Sequence, residues 1–275
     1  MGMKRNSPSS VRKILGMISK QSIKTKIFIG LLTSFVILVL LSFTRAYRHY
    51  YFYLSSQAVQ SLGTFVLIYK LYSKKSCSGL SLKFQEINAL FIAVKMTCSF
   101  SFELELHTWL DLSTLISTAW VIYMMRFKLK STYNKELDNL PHYYVIVPAA
   151  ILAVIVHPLR SGFNIYATLW AFAVYLDAIA VLPQLRLMQN AKMAEPFTGL
   201  YVFALGCSRF LGFAHWIFMI IETRGRYLHF WGYGSIWSLV NLIAELVQTF
   251  ILGDFVYYYC KRVMAGQSMV LPLPV

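Results

Sequence analysis

Long apolar blocks, separated by short polar and mostly basic turns, dominate this chain. Eight blocks approach the roughly 20 residues that span a bilayer. They are Ile27–Phe43, Leu54–Tyr72, Phe84–Phe102, Thr108–Phe127, Tyr143–His157, Tyr166–Met188, Thr198–Ile221 and Gly232–Tyr259. The fifth is short and the last is long, differences that tilt and local bilayer adjustment accommodate. In lipid each segment must satisfy its own backbone hydrogen bonds, so apolar blocks of this length predict helices. The first block has two readings, a signal peptide or a retained helix. A long tail precedes it, and Arg45, Ala46 and Tyr47 follow where a small-x-small cleavage site would stand, which favours the retained helix.

Composition agrees. Hydrophobic residues make up 57% of the 275 residues and charged residues 13%, too little polar surface for a soluble domain. A formal net charge of +15 would point to nucleic acid in a soluble protein. In a membrane chain, topology accounts for it and no nucleic-acid partner is implied. With a cytosolic N-terminus and eight crossings, nineteen Lys and Arg fall on the cytosolic side, five on the opposite side and two inside the membrane. The positive-inside rule then predicts both termini in the cytosol. The resulting organisation is a basic tail over 1–26, an additional membrane helix over 27–43, a core over 54–262 and a cytosolic tail over 263–275. The N-terminal tail is suited to lie against anionic lipid. The far side is expected to be relatively acidic, with Glu103, Glu105 and Asp111, and His107, His157 and His229 are expected at its boundary, solvated.

Two cations interrupt apolar stretches, Lys95 in Leu90–Phe102 and Arg209 in Phe203–Ile221. Each costs about 2.5–3.5 kcal/mol at a membrane helix centre. An anionic ligand, a buried carboxylate or a watery cavity offsets such a cost. For Arg209 the candidate carboxylates are Asp177 and Glu245; Lys95 can also snorkel or lose its proton. The two cations are 114 residues apart. The same offset lays Tyr69–Leu80 on Pro183–Ala194, each an apolar helix end followed by a polar, basic turn. This predicts two parallel three-helix units, Leu54–Phe127 and Tyr166–Tyr259, linked by Tyr143–His157. Such repeats place binding sites at their interface near the midplane.

No nucleophile elbow, P-loop or Cys/His metal spacing occurs, so neither an enzyme nor a cofactor is implied. Cys77, Cys98, Cys207 and Cys260 are not placed for disulfides.

The motifs are more specific than the composition. Pro183-Gln184 is the dipeptide of PQ-loop membrane proteins, where proline kinks a helix and glutamine fills the hydrogen-bonding gap. Val174-Tyr175-Leu176-Asp177-Ala178 precedes it, and Glu195-Pro196-Phe197-Thr198 and Tyr201-Val202-Phe203 follow. Ser76-Cys77-Ser78-Gly79-Leu80-Ser81-Leu82-Lys83-Phe84-Gln85 and Arg126-Phe127-Lys128-Leu129-Lys130-Ser131-Thr132-Tyr133 mark the first unit. Val247-Gln248-Thr249 and Asp254-Phe255 mark the last helix. Together these resemble the ER lumen protein-retaining (KDEL) receptors, from about Leu54 to the C-terminus. The additional first helix resembles the plant receptor-like branch of that family.

The resemblance implies a seven-helix core related to the SWEET sugar transporters, in ER and Golgi membranes. It implies binding of C-terminal retention-signal peptides of lumenal proteins, and vesicle-mediated return to the ER through coat proteins. It puts Lys95, with its neighbour Met96, and Arg209 at the carboxylate-holding positions. Asp177 falls where the signal's lysine is read, His215 and Trp216 fall in the binding stretch, and Asp254 is a residue needed for transport. This chain departs from the pattern at Tyr53 and Met219, where the receptors carry arginine, and at Gln60, where they carry histidine. Met264-Ala265-Gly266-Gln267-Ser268 lacks the lysine cluster read by the retrieval coat. These departures keep open a SWEET-like small-solute carrier and a trafficking protein that no longer binds the signal.

Overall fold

A computed structural model describes residues 48–100, 106–158, 165–191, 195–225 and 236–264. The block Ile27–Phe43, the tail over 1–26, residues 265–275 of the C-terminal tail, Glu103, Glu105 and His229 lie outside the described residues, and the last helix runs two residues into the expected C-terminal tail, to Met264. Within them regular structure is entirely helical. The α-helices are α1 (Arg48–Lys74), α2 (Leu82–Phe100), α3 (Leu106–Tyr123), α4 (Tyr143–Ile155), α5 (Ile165–Ala180), α6 (Leu182–Asn190), α7 (Pro196–Glu222) and α8 (Trp237–Met264), and a π-helical turn (Met124–Lys128) and a 3-10 turn (Lys130–Thr132) follow α3. Helices α5 and α6 form one rod, broken at Val181 ahead of Pro183, because proline cannot donate the next backbone bond. Seven rods result, at the positions the apolar blocks predicted. Helix α1 begins six residues before its block, at Arg48.

Three rods are long and apolar enough to cross a membrane: Ile165–Asn190, Pro196–Glu222 and Trp237–Val263. Tyr143–Ile155 is a shorter apolar helix. The rods α1 to α3 are more polar because they carry buried polar side chains, among them Gln60, Lys70, Gln85, Lys95 and Asp111. This is the helical architecture of an integral membrane protein. Large apolar residues such as Ile116, Ile151, Val154, Ile155 and Phe250 face outward, as lipid-facing positions do.

Packing follows the same order in both halves. Helix α3 is a principal neighbour of both α1 and α2, and α8 of both α5 and α7. Between halves α1 packs on α7, the most extensive contact, and α2 packs on α5. The 114-residue offset exchanges these two pairings, since it takes α1 to α5–α6 and α2 to α7. Helix α4 packs on α5 through Val145, Ala149 and Ala153, spaced one turn apart on one face. Its other faces carry exposed Val147, Ile151 and Val154.

The first half of α7 is buried all round, from Phe197 to Ser208, as suits a rod enclosed by helices. Small residues permit the close approach. A Cβ at Gly63 would stand 3.0 Å from the Ala204 Cβ, and one at Gly206 would stand 2.3 Å from Val256 Cγ2.

The motif residues meet at one end of the bundle. Gln184 accepts from the Ser81 amide (2.9 Å) and donates to the Gly79 carbonyl (2.8 Å), so it holds the turn before α2. The PQ glutamine therefore fills a gap in the other unit rather than the gap left by its own proline. Lys70 stands 114 residues before Gln184 and does the reciprocal job. It is fully buried, pairs with Glu195 and donates to Thr198 Oγ1 (2.8 Å) at the start of α7, and it also donates to the Ser78 carbonyl (2.6 Å). Buried Asp138 accepts from Ser81 Oγ (2.8 Å) and from the Tyr133 phenol (2.6 Å). Burial and that carboxylate push the Tyr133 phenol well up from its ordinary value. The Cys77 thiol, also pushed up by burial, donates to the Leu129 carbonyl (3.3 Å). These contacts close that end.

Candidate functional site

The opposite end of the bundle opens into a cavity of about 380 Å³. Lys95, Asp177, Arg209, His215 and Trp216 all line it, together with Tyr53, Gln57, His107, Asn241 and Glu245. The placement follows from chain direction. Alternate rods run oppositely, so the starts of α1, α3 and α8 share this end with the last turns of α2 and the second half of α7. Met96 is buried in the apolar core and is not among the lining residues. Asp254 lies exposed on α8, well past the cavity stretch Trp237–Glu245.

Both cations are offset by carboxylates. Arg209 grips Asp177 through two parallel bonds, Nη1 to Oδ2 at 2.5 Å and Nη2 to Oδ1 at 2.6 Å. This bidentate fork uses the planarity that distinguishes arginine from lysine. The same aspartate's backbone carbonyl accepts from Gln248 Nε2 at 2.7 Å, which ties α8 to the pair. Of the two partners expected for Arg209, the structure selects Asp177, and the pair still faces the cavity.

Lys95 finds a partner that was expected elsewhere. Asp111 does not face the solvent at the far side; it is 3% exposed and its Oδ2 lies 2.8 Å from Lys95 Nζ. With its oxygen turned to Lys95 and its nitrogen to Asp111, the orientation that satisfies both neighbours, the Gln57 amide bridges the two at 2.9 Å each. The ammonium also lies 5.4 Å from the Tyr53 ring centroid, within cation–π range. Snorkelling and deprotonation are thus unnecessary for Lys95. The signal available in sequence was that Asp111 falls inside an apolar block, as its fourth residue.

His107, expected at a solvated boundary, instead lines the cavity, its ring 5.3 Å from Tyr53. His215 Nδ1 donates to the His49 carbonyl (2.6 Å), and its ring packs against Tyr53 and Trp216. His49 in turn meets Glu222 at 2.5 Å, joining the start of α1 to the end of α7. Glu245 projects from α8 toward α7, where a Cβ at Gly212 would stand 3.4 Å from its Oε2. Trp216 hydrogen-bonds to it.

The cavity thus combines aromatic walls with pre-positioned charges, an arrangement able to orient a small polar chain end. Among the described residues no cluster of His, Cys, Asp and Glu could hold a metal ion. Comparison with known proteins places the chain. The family model described as ER lumen protein retaining receptor matches residues 76–219. An ER lumen protein-retaining receptor of Caenorhabditis elegans is 34% identical over 224 residues, covering 81% of this chain and 99% of the relative. The chain belongs to the ER lumen protein retaining receptor family. ER lumen protein-retaining receptor B of Arabidopsis thaliana is 31% identical over 80% of this chain and 98% of its own length. The receptor of Entamoeba histolytica is 32% identical with the same coverage. The matched length falls short of the whole chain, in keeping with a resemblance that begins near Leu54.

Proposed function

We propose that this family member binds C-terminal retention signals of lumenal proteins in the cavity and retrieves those proteins to the ER by vesicle traffic. One observation carries the reading: residues from both repeats, Lys95 of one and Arg209 of the other, converge with Asp177, His215 and Trp216 on one cavity at one end of the bundle. A site at the interface of parallel repeats is where such folds bind ligands. The two-unit packing supports a SWEET/PQ-loop-like core. The basic turns at the closed end support a cytosolic position for that end, so that the cavity opens to the lumen of the ER or Golgi. Membrane lipid surrounds the rods, and the basic tail over 1–26 adds a contact with anionic headgroups.

Peptide capture here requires rearranging ion pairs, because both cations already have carboxylate partners. Arg209 is the better candidate for the peptide's terminal carboxylate. It is partly exposed to the cavity and offers the bidentate geometry, whereas Lys95 is shut in by Asp111, Gln57 and Tyr53. Asp254, exposed on α8, fits a transport role better than a ligand contact. The tail stretch Met264–Ser268 lacks lysine, so coat binding through it is weak in this reading.

A secretion assay tests the proposal. Cells depleted of their own retention receptor leak a tagged lumenal protein carrying a C-terminal signal. Expression of this chain restores retention, and Arg209→Ala abolishes the rescue while the variant still reaches the membrane. Leakage unchanged by the native chain sinks the reading, and solute uptake by proteoliposomes would turn it toward a carrier.

A further inference from the structure

The charge inventory of the cavity is not that of a simple anion site. Two cations line or adjoin it, Lys95 and Arg209, against three carboxylates, Asp111, Asp177 and Glu245. Four of these five groups are consumed in two ion pairs. The remaining charged group is Glu245. Among the described residues no cation lies within ion-pair distance of it, although Arg209, Asp177 and Lys95 all act on it electrostatically. One donor, Trp216, meets it, which leaves acceptor capacity for a cationic group.

A second group points the same way. Asn241 lies one turn before Glu245 on α8, on the same face, and both line the cavity. Asn241 is 2% exposed, and its Oδ1 has no hydrogen-bond partner. Buried acceptors are satisfied in native structures with few exceptions, so an orphan on a cavity-lining residue marks a place for a donor. Two neighbouring acceptors, one of them anionic, match an ammonium, which carries three donors and no acceptor. Asp177, to which the sequence resemblance gives the reading of a lysine, is already engaged by a cation of the protein itself. Both of its oxygens are held by Arg209.

We propose that Glu245 and Asn241 form the subsite for a basic amine of the ligand, in place of Asp177. The inference rests on the reading of the cavity as a peptide site and adds which chemistry the α8 wall selects. The glycine at 212 belongs to this subsite, because it leaves the gap into which Glu245 Oε2 projects. Trp216, hydrogen-bonded to the same carboxylate, sets its orientation.

The test uses the full chain in lipid nanodiscs and two fluorescent peptides, one ending Lys-Asp-Glu-Leu and one ending Gln-Asp-Glu-Leu. Loss of the amine should weaken binding roughly tenfold or more, the scale of one charge-assisted hydrogen bond. In Glu245→Gln the two peptides should bind alike, and in Asn241→Leu their difference should shrink. Comparing peptides on the native chain keeps the test valid if a variant does not fold. Equal binding of both peptides by the native chain overturns the inference and leaves the receptor reading standing. So does an amine preference that survives Glu245→Gln and disappears in Asp177→Asn. Binding of neither peptide overturns both.

Discussion

Asp111→Asn isolates the electrostatic support of Lys95. The substitution keeps the size of the side chain and removes one charge. It leaves an ammonium that is 6% exposed without an anionic partner, although the Gln57 carbonyl oxygen and the Tyr53 ring remain beside it. Those two contacts exist already in the native chain, so they do not offset the loss. Breaking a buried pair by removing one partner costs about 3–5 kcal/mol, mostly the uncompensated charge left behind. At roughly 2–4 °C per kcal/mol for a chain of this size, the midpoint of thermal unfolding should fall by about 10 °C. The assay is tryptophan-fluorescence unfolding of the purified chain in a fixed lipid nanodisc. The double variant Lys95→Met with Asp111→Leu should recover most of the loss, because two charges leave together. A single variant within about 1 kcal/mol of the native chain would refute the pairing, given how costly a lone buried charge is. So would a double variant no more stable than the single one.

Other perturbations act through different contacts. Gln184→Leu strips the Ser81 amide and the Gly79 carbonyl of their partner and should cost about 2 kcal/mol or more by the same unfolding assay. Lys70→Met should cost a comparable amount, because Glu195, Thr198 and the Ser78 carbonyl lose one shared donor, and restoring a charge with Lys70→Arg should not rescue it in so tight a site. Gly206→Ala places a Cβ 2.3 Å from Val256 Cγ2 and should destabilise by about 1–3 kcal/mol, relieved by adding Val256→Ala. Tyr133→Phe removes a 2.6 Å bond to the Asp138 carboxylate and should lower stability by about 1.5–3 kcal/mol without changing peptide affinity, since it lies at the closed end.

Period and length carried most of the fold. Apolar blocks located seven rods because a bilayer or a buried rod demands sustained hydrophobicity, and the rod Ile165–Asn190 was bounded within two residues at each end. The 114-residue offset between Lys95 and Arg209 was legible because these are the cations well inside apolar blocks, whereas Lys70, Arg126 and Arg186 stand within three residues of a block end. What the offset could not show was reciprocity: Lys70 and Gln184 occupy equivalent positions, yet one is a cation and the other an amide. Their shared task, holding the turn of the opposite unit, is a matter of tertiary contact and leaves no periodic trace. The site was partly legible. Arg209 and Asp177 stood out by charge in apolar surroundings, and the resemblance joined them. Asp111 was misplaced at the far side because its position near a helix start looked like a boundary, and only packing of α3 against α1 and α2 buries it. His107 was misread for the same reason. Met96 was drawn in by adjacency to Lys95, but successive helical residues point about 100° apart, and Met96 turns into the core.

Peptide capture inside the cavity is most directly tested by photocrosslinking. A peptide with a free C-terminus and a diazirine in its last four residues is added to the full chain in nanodiscs, irradiated, and the labelled residues are mapped by mass spectrometry. Labelling should concentrate on the lining residues Trp170, His215, Trp216 and Asn241, and unlabelled peptide should compete where its C-terminally amidated form does not. Labelling confined to outward-facing residues such as Ile151 or Phe250, or competed equally by the amide, would contradict it.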